Sequence, residues 1–347
     1  MTFRVPHYYR DFKCTADKCS DNCCIGWEID IDDDTMEKYD SVTGEFKNKI
    51  QSGISTSGTP HFILDKHERC PFLNSKNLCE IFINLGESSL CQICTDHPRY
   101  FEWFGDVKEG GIGMSCEEAA RLILTSDFSI SEKEIPGEET SSYDEELFSL
   151  LSDARDIIIC HLMNDPLPEA IAYMLDLCEE LQSNIDNGNY SLPGEISVSP
   201  PERPDITSVL RYYRRLEPID DNWIPYIDKC ISSADNTHID FSRYEKYLRR
   251  IAVYFIFRYF MKGTFDGEIM SRAKLSAVSA WTVAFFWQQT GSSSLDELIQ
   301  AAKYYSKEVE YCEENLDTLA DAFYDEEFFS SPCIKGLFDT NANDNAV

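Results

Sequence analysis

Basic residues are scarce in this chain of 347 residues: Lys and Arg number 31 against 62 Asp and Glu, a formal charge of −31. So acidic a body repels phosphate backbones, which argues against nucleic-acid binding over a broad face and favours basic partners. Glycine (16) and proline (14) are too few for a collagen-like or mucin-like chain. Long apolar runs are missing too. The best stretch, 251–260, is short and carries Arg258, so it predicts a buried helix and no membrane span. The first residues, MTFRVPHYYRDF, contain no apolar leader segment. The expectation is a cytoplasmic chain with reduced thiols, where clustered cysteines bind metal or do redox work.

No internal repeat of fixed period is visible, and neither is the glycine run of a dinucleotide fold. Gly110-Gly111-x-Gly113 falls in an expected hairpin rather than between a strand and a helix. Apolar residues (43%) still suffice for a real core. The pattern predicts a mainly α protein. A Cys-rich α+β part with a small hairpin spans 1–125, a polar linker 126–142, a helical domain 143–338 and a frayed tail 339–347. The hairpin is expected at 99–104 and 107–114 around Gly105-Asp106. Helices are expected at 36–50, capped by Asp34 or Thr35, and at 117–124, capped by Ser115. Beyond the linker they are expected near 143–164, 167–184, 205–216, 224–233, 241–262, 268–289 and 294–326, with a Pro- and Gly-rich loop at 185–204.

What the chain has in plenty is cysteine. Of 14, nine fall in the first third: Cys14, Cys19, Cys23, Cys24, Cys70, Cys79, Cys91, Cys94 and Cys116. Cys14-x4-Cys19-x3-Cys23-Cys24 is followed by Ile25-Gly26-Trp27, and Cys91-x2-Cys94 by His97-Pro98-Arg99. Soft thiolates that converge in this way suit zinc or an iron–sulfur cluster and not Mg²⁺ or Ca²⁺. The Cys-x3-Cys-x2-Cys spacing of radical enzymes is absent. Adjacent Cys23 and Cys24 are expected to diverge, one ligating and one facing elsewhere, unless the turn is tight, which Gly26 would permit. The favoured ligands are Cys14, Cys19 and Cys23, with Cys24, then Cys91 and Cys94. The five later cysteines read as buried thiols.

These residues resemble known groups. Cys14 to Cys24 with Gly26-Trp27 is similar to the CxxxxCxxxCC zinc- or iron-chelating family. Cys70-Pro-Phe-Leu, Leu78-Cys79-Glu80-Ile81, Leu85-Gly86-Glu87, Leu90-Cys91-x2-Cys94, His97-Pro98-Arg99 and Met114-Ser115-Cys116 through Leu122 resemble the flagellin lysine-N-methylase (FliB) family. So do Tyr244 to Arg258 and Tyr305 to Leu316. Two positions depart from the family pattern: Glu117 stands where it usually has Pro, and Tyr311-Cys312 where it usually has His-Ser. The resemblance implies methylation of lysine side chains on flagellin, with S-adenosylmethionine as donor and an iron–sulfur cluster, 4Fe-4S or with zinc as the alternative.

Such chemistry needs a neutral amine, although a free lysine has a pKa of about 10.4. It also needs aromatic faces for sulfonium and ammonium groups. Glu308, Glu310 and Tyr311 are the candidate proton acceptors, Glu308 and Tyr311 being three apart on one helix face. Trp27, Arg99 and Arg258 are the candidate cofactor contacts, and a charge such as Arg258 inside an apolar helix demands a partner. Two other readings explain the cysteines: a metal-binding or electron-transfer protein without methyl transfer, and a structural zinc domain joined to a helical partner-binding module.

Overall fold

A computed structural model of the chain describes residues 1–26, 28–137, 143–234, 239 and 241–339. Strand β1 (Thr2–Pro6) leads into a Cys-rich stretch with four short helices, α1 (Asp33–Ser41), α2 (Phe46–Ser52), α3 (Glu80–Leu85) and α4 (Gln92–Asp96), and a two-stranded ladder of β2 (Ile54–Ser55) and β3 (His61–Phe62). The expected hairpin follows as β4 (Arg99–Phe104) and β5 (Val107–Ile112), then α5 (Glu117–Thr125) and β6 (Ile130–Glu134). The rest is helical: α6 (Glu145–Asn164), α7 (Leu167–Asp186), α8 (Ile206–Tyr213), α9 (Trp223–Ser233), α10 (Phe241–Tyr259), α11 (Gly263–Asp266), α12 (Met270–Gln289), α13 (Leu295–Glu310), α14 (Glu313–Asp325) and α15 (Ser331–Gly336). The protein is mainly α with a small sheet.

The sheet order is β4-β5-β1-β6, with β1 parallel to β5 and antiparallel to β6. Strand β6 lies inside the stretch expected to be a linker. Its sequence, ISEKE, is that of an edge strand, polar and charged because one edge faces water. The tail from residue 340 lies outside the described residues. The large core joins Tyr8, Phe104, Ile112 and the buried face of α5 to the later helices, so the sheet belongs to the helical body. A second, smaller core gathers Ile29, Tyr39, Ile50, Phe62, Phe72 and Ile81 with Cys70 and Cys91. The Cys-rich stretch is thus a satellite module inserted between β1 and β4.

Helix α12 is the centre of the body, with every residue from Leu275 to Trp287 buried. A helix apolar or small on all sides belongs in a core. Its few hydroxyls are used: Ser276 donates to the Ala252 carbonyl at 2.9 Å, and Ser279 and Thr282 join the Tyr305 and Tyr213 phenols. The long helix expected at 294–326 is broken at Tyr311-Cys312. Asn315, almost fully buried, donates to the carbonyls of Glu308 and Glu217 and accepts from the Glu217 N–H. It caps the end of α13 and turns the chain there. The first expected helix is likewise split into α1 and α2, and Asp32 rather than Asp34 or Thr35 caps α1 through the Thr35 N–H. Cys116, not Ser115, occupies the N-cap of α5.

Arg250 of α10 ties the end of α5 and the approach to β6 onto the helices. It donates to the Leu124 carbonyl at 2.7 Å and to Asp127 at 2.6 Å, and is itself 4% exposed. Arg250→Ala removes a buried hydrogen bond to the Leu124 carbonyl and a solvent-screened pair with Asp127, and is expected to lower stability by about 1 kcal/mol in chemical denaturation.

Candidate functional site

The centre of the site is Glu310, the last residue of α13. Its Oε2 accepts from Tyr254 (2.9 Å), Tyr259 (2.8 Å) and Arg258 (2.8 Å), and its Oε1 from Ser306 (2.6 Å). Arg258 lies 4.5 Å over the ring of Tyr100, with 5.2 Å to Tyr259. Its side chain keeps 16% exposure while Glu310 has none. The glycines that fail as a nucleotide motif make room for this arrangement. A Cβ on Gly111 would strike the Tyr100 hydroxyl at 2.3 Å, and one on Gly113 would crowd Arg258 at 3.3 Å. The buried arginine demanded by the sequence thus has its carboxylate. Both are among the predicted site residues, and the structure brings them together.

Tyr311 stands just beyond the end of α13, 38% exposed, its hydroxyl 3.2 Å from His97 Nδ1. Burial pushes the His97 imidazole down to about 4, so it is neutral at neutral pH. Burial likewise raises the Tyr311 phenol to about 12, against the pull of Ser115 and Arg258. His97, from the residues leading into β4, is thus brought beside Tyr311 by the fold. His97 was quoted only as part of a motif; its role was not legible without the fold.

Glu308 goes elsewhere. Its carboxylate is fully buried and accepts from the N–H groups of Ile219 (2.9 Å) and Asp220 (3.0 Å), so it anchors the loop before α9. It does not share a face with Tyr311, because the helix ends between them. Arg99 is also apart from Arg258: its guanidinium lies over Phe12 and Tyr9 and donates to the Thr95 carbonyl. Trp27 lies outside the described residues.

Six thiols of the satellite module feel one another's charge: Cys23, Cys24, Cys70, Cys79, Cys91 and Cys94. Cys91 Sγ and Cys94 Sγ are 3.3 Å apart. Cys23 and Cys24 do not diverge; a tight turn, followed by Gly26 at φ +93°, lets them hydrogen-bond to each other. In each pair the shared proton lowers one thiol and raises the other: Cys23 falls to about 7 while Cys24 rises, and Cys91 falls while Cys94 rises. Burial pushes Cys70 up to about 11. Cys14 and Cys19, favoured by spacing, sit outside this nest. Cys14 is exposed, and Cys19 feels Glu117 and faces Cys116 across the junction. Among the described residues no three Cys, His, Asp or Glu side chains already stand in an arrangement that could hold a metal ion. The described residues thus gather soft donors without forming a metal site.

The loop that carries Cys19 to Cys24 is moored to the helical body. Asp21 pairs with Lys303 of α13 at 3.1 Å, and Ser20 donates to Glu117 of α5 from both backbone and hydroxyl. Glu117 thus serves as a mooring point.

A family model, FliB lysine N-methylase C-terminal domain, matches residues 155–337, more than half of the chain. The chain belongs to the FliB family. It is 27% identical over 151 residues to proteins named lysine-N-methylase from Salmonella choleraesuis and Salmonella typhimurium, a match covering 39% of this chain and 36% of each relative. It is 27% identical over 131 residues to the flagellar biosynthetic protein FliU of Salmonella muenchen, covering 36% of this chain and 78% of that protein. The match thus spans little more than a third of the length of the two lysine-N-methylases. No solved structure matches. No helix among the described residues is long and apolar enough to cross a membrane.

Burial raises Glu308 from 4.5 to about 7, against the two N–H groups that favour its charge. Folding therefore favours its protonated form. Its contribution to stability is full below about pH 4.5 and is lost as pH rises through about 7. Glu308→Gln is expected to flatten that part of the stability–pH curve, by at most about 3 kcal/mol, in urea titrations between pH 4.5 and 8.

Proposed function

We propose that the chain is a protein-lysine N-methyltransferase that uses S-adenosylmethionine, acts on surface lysines of flagellin, and carries an iron–sulfur cluster on its thiol nest. The observation that carries the reading is the Arg258–Glu310 centre with Tyr311 beside it, inside the segment that matches the family. Arg258 is neutralised on one side by Glu310 and keeps an exposed edge, which suits it to hold a ligand carboxylate. The rings of Tyr100 and Tyr259 offer faces to a cationic sulfonium or ammonium.

The site holds protons in a definite way. Four donors saturate Glu310, so it acts as the counter-ion that positions Arg258 rather than as a base. His97 and Tyr311 are both held neutral by burial, and the same environment favours the neutral form of an amine delivered beside them. The neutral lysine nitrogen then attacks the donor methyl, the C–S bond breaks, and the donor leaves as a thioether. The proton lost by the ammonium before attack passes to water. Four of Cys23, Cys24, Cys70, Cys79, Cys91 and Cys94 would hold the cluster, which when bound would supply a redox-active iron centre. The acidic surface would steer lysine-rich segments towards it.

The second reading, a thiophilic metal or electron-transfer protein without methyl transfer, is favoured by one observation: no strong base faces the opening, since Glu310 is saturated and His97 has lost basicity. The two separate in one experiment. Protein purified without oxygen is analysed for iron, zinc and sulfide, then incubated with labelled donor and flagellin. Iron with sulfide and label on flagellin lysines is the expected result; metal without label would establish the second reading, and stoichiometric zinc without iron would remove the cluster. Arg258→Ala is expected to reduce label transfer about a hundredfold, and Glu308→Gln to leave it nearly unchanged.

A further inference from the structure

The sheet sorts its charged side chains by face. Successive strand residues point to opposite sides. Arg4, Glu102, Glu109 and Glu132 share the side turned to the helices, where Arg4 pairs with Glu132 at 2.8 Å, Arg155 with Glu109 at 2.6 Å and Lys262 with Glu102 at 3.4 Å. Glu134 is on that side as well and accepts from the Thr2 hydroxyl at 3.1 Å. The outer side carries Phe3, Phe101, Trp103, Lys108 and Lys133. Trp103 stands directly across from Lys108, and Phe3 lies between Lys108 and Lys133. No carboxylate of the four strands reaches this side.

Aromatic rings hold the two lysines in place of counter-ions. Lys108 Nζ is 4.0 Å from the centre of the Phe101 ring, 4.8 Å from that of Trp103 and 5.6 Å from that of Phe3, and Lys133 Nζ is 5.7 Å from the Phe3 ring. Gly110 lets the rings close together, since a Cβ there would stand 3.0 Å from both Phe101 and Phe3. Neither ammonium has an ion pair or a hydrogen-bond acceptor among the described residues. In a chain of net charge −31, these lysines beside a 37% exposed Trp103 make a patch opposite in sign to the molecule as a whole.

Charge complementarity selects a carboxylate-bearing partner. The lysines are two strand spacings apart, about 10 Å, and carboxylates two residues apart in an extended peptide lie about 7 Å apart on one side, within reach of both flexible stems. The rings between them suit aromatic side chains. A membrane or a nucleic acid would bring many phosphates against the acidic surface around the patch, inside a screening length of about 10 Å, and is disfavoured. We propose that the outer face of the sheet docks an extended acidic segment of a partner protein, with aromatic side chains among its carboxylates. The methyl-transfer site lies on the other face, where Tyr100 meets Arg258, and takes no part in this docking.

The full chain is titrated into a fluorescent peptide, Glu-Glu-Phe-Glu-Glu-Phe-Glu-Glu, and binding is read by anisotropy, with no call on methyl transfer. Saturable binding that weakens as salt rises is expected. The same peptide with Ser for every Glu is expected not to bind. Lys133→Glu, at an exposed position of an edge strand, should raise the Kd about tenfold and Lys108→Gln about fivefold. Trp103→Ala should raise it about tenfold through lost ring contact. Arg203→Glu, the same change of charge at an exposed position in the loop before α8, should leave the Kd unchanged. Thermal melts by circular dichroism identify the variants that fold. No binding of the acidic peptide, equal binding of the Ser peptide, an unchanged Kd in folded Lys133→Glu, or an equal loss in Arg203→Glu would each overturn the proposal. Displacement of the peptide by phosphatidylserine vesicles, with the same dependence on Lys133, would assign the face to a lipid surface and overturn it as well.

Discussion

A buried carboxylate beside a buried guanidinium is stable only when nearly every lone pair and proton is satisfied, and Glu310–Arg258 meets that demand. Removing two charges from water costs several kcal/mol per ion, so the pair persists because Tyr254, Tyr259 and Ser306 complete it. Three parts of the chain are held by this requirement. Helix α10 supplies the arginine and both tyrosines, α13 the carboxylate and the serine, and β4 the ring of Tyr100 that lies against the guanidinium. The position of Glu310 at the end of α13 adds to it, since a cation is favoured at a helix C-terminus. The chain must turn immediately afterwards, and Tyr311 is thereby presented at the opening beside His97.

Much of this could be read from residue order, and the failures have physical causes. The helices after residue 143 were legible because their apolar periodicity is strong, and the hairpin because Gly105-Asp106 separates two β-prone runs. Strand β6 was not, because an edge strand carries Ser, Glu and Lys like a linker. The break between α13 and α14 was hidden because it is imposed by Asn315 reaching across to Glu217, a tertiary contact without local signature. Arg258 and Glu310 were both singled out, one as a charge in an apolar helix and one as a helix carboxylate, but their pairing over 52 residues is a property of the fold. The choice of Glu308 as a proton acceptor rested on a shared helix face with Tyr311, and the helix does not extend that far.

The grouping of the thiols in space differs from their grouping in sequence. Spacing favours residues close in sequence, so Cys14 and Cys19 ranked above Cys70 and Cys79. In the fold the chain between Cys24 and Cys70 closes on itself, the Cys70 N–H donating to the Cys24 carbonyl at 2.9 Å, and the small core of Phe62, Phe72 and Ile81 stacks the distant cysteines against the near ones. Cys79 and Cys91 each begin a helix, where first-turn N–H groups favour a thiolate. The family match at 155–337 covers the helical body and not this module. The segment by which the chain is recognised and the segment that carries the soft donors are therefore different pieces of one molecule.

What couples the two pieces is electrostatic. Hydrogen bonds with Cys23 and Cys91 raise the Cys24 and Cys94 thiols, burial raises Cys70 and Cys79, and the charges of neighbouring thiols add to each. The loop bearing Cys23 and Cys24 hangs from α13 through Asp21–Lys303 and from α5 through Ser20–Glu117. The same two helices frame the other site: α13 ends in Glu310 and Tyr311, and α5 begins at Cys116 beside Ser115. The Cys23–Cys24 loop and the Arg258–Tyr311 site thus rest on the same two helices, with Glu117 and Lys303 as the anchoring residues.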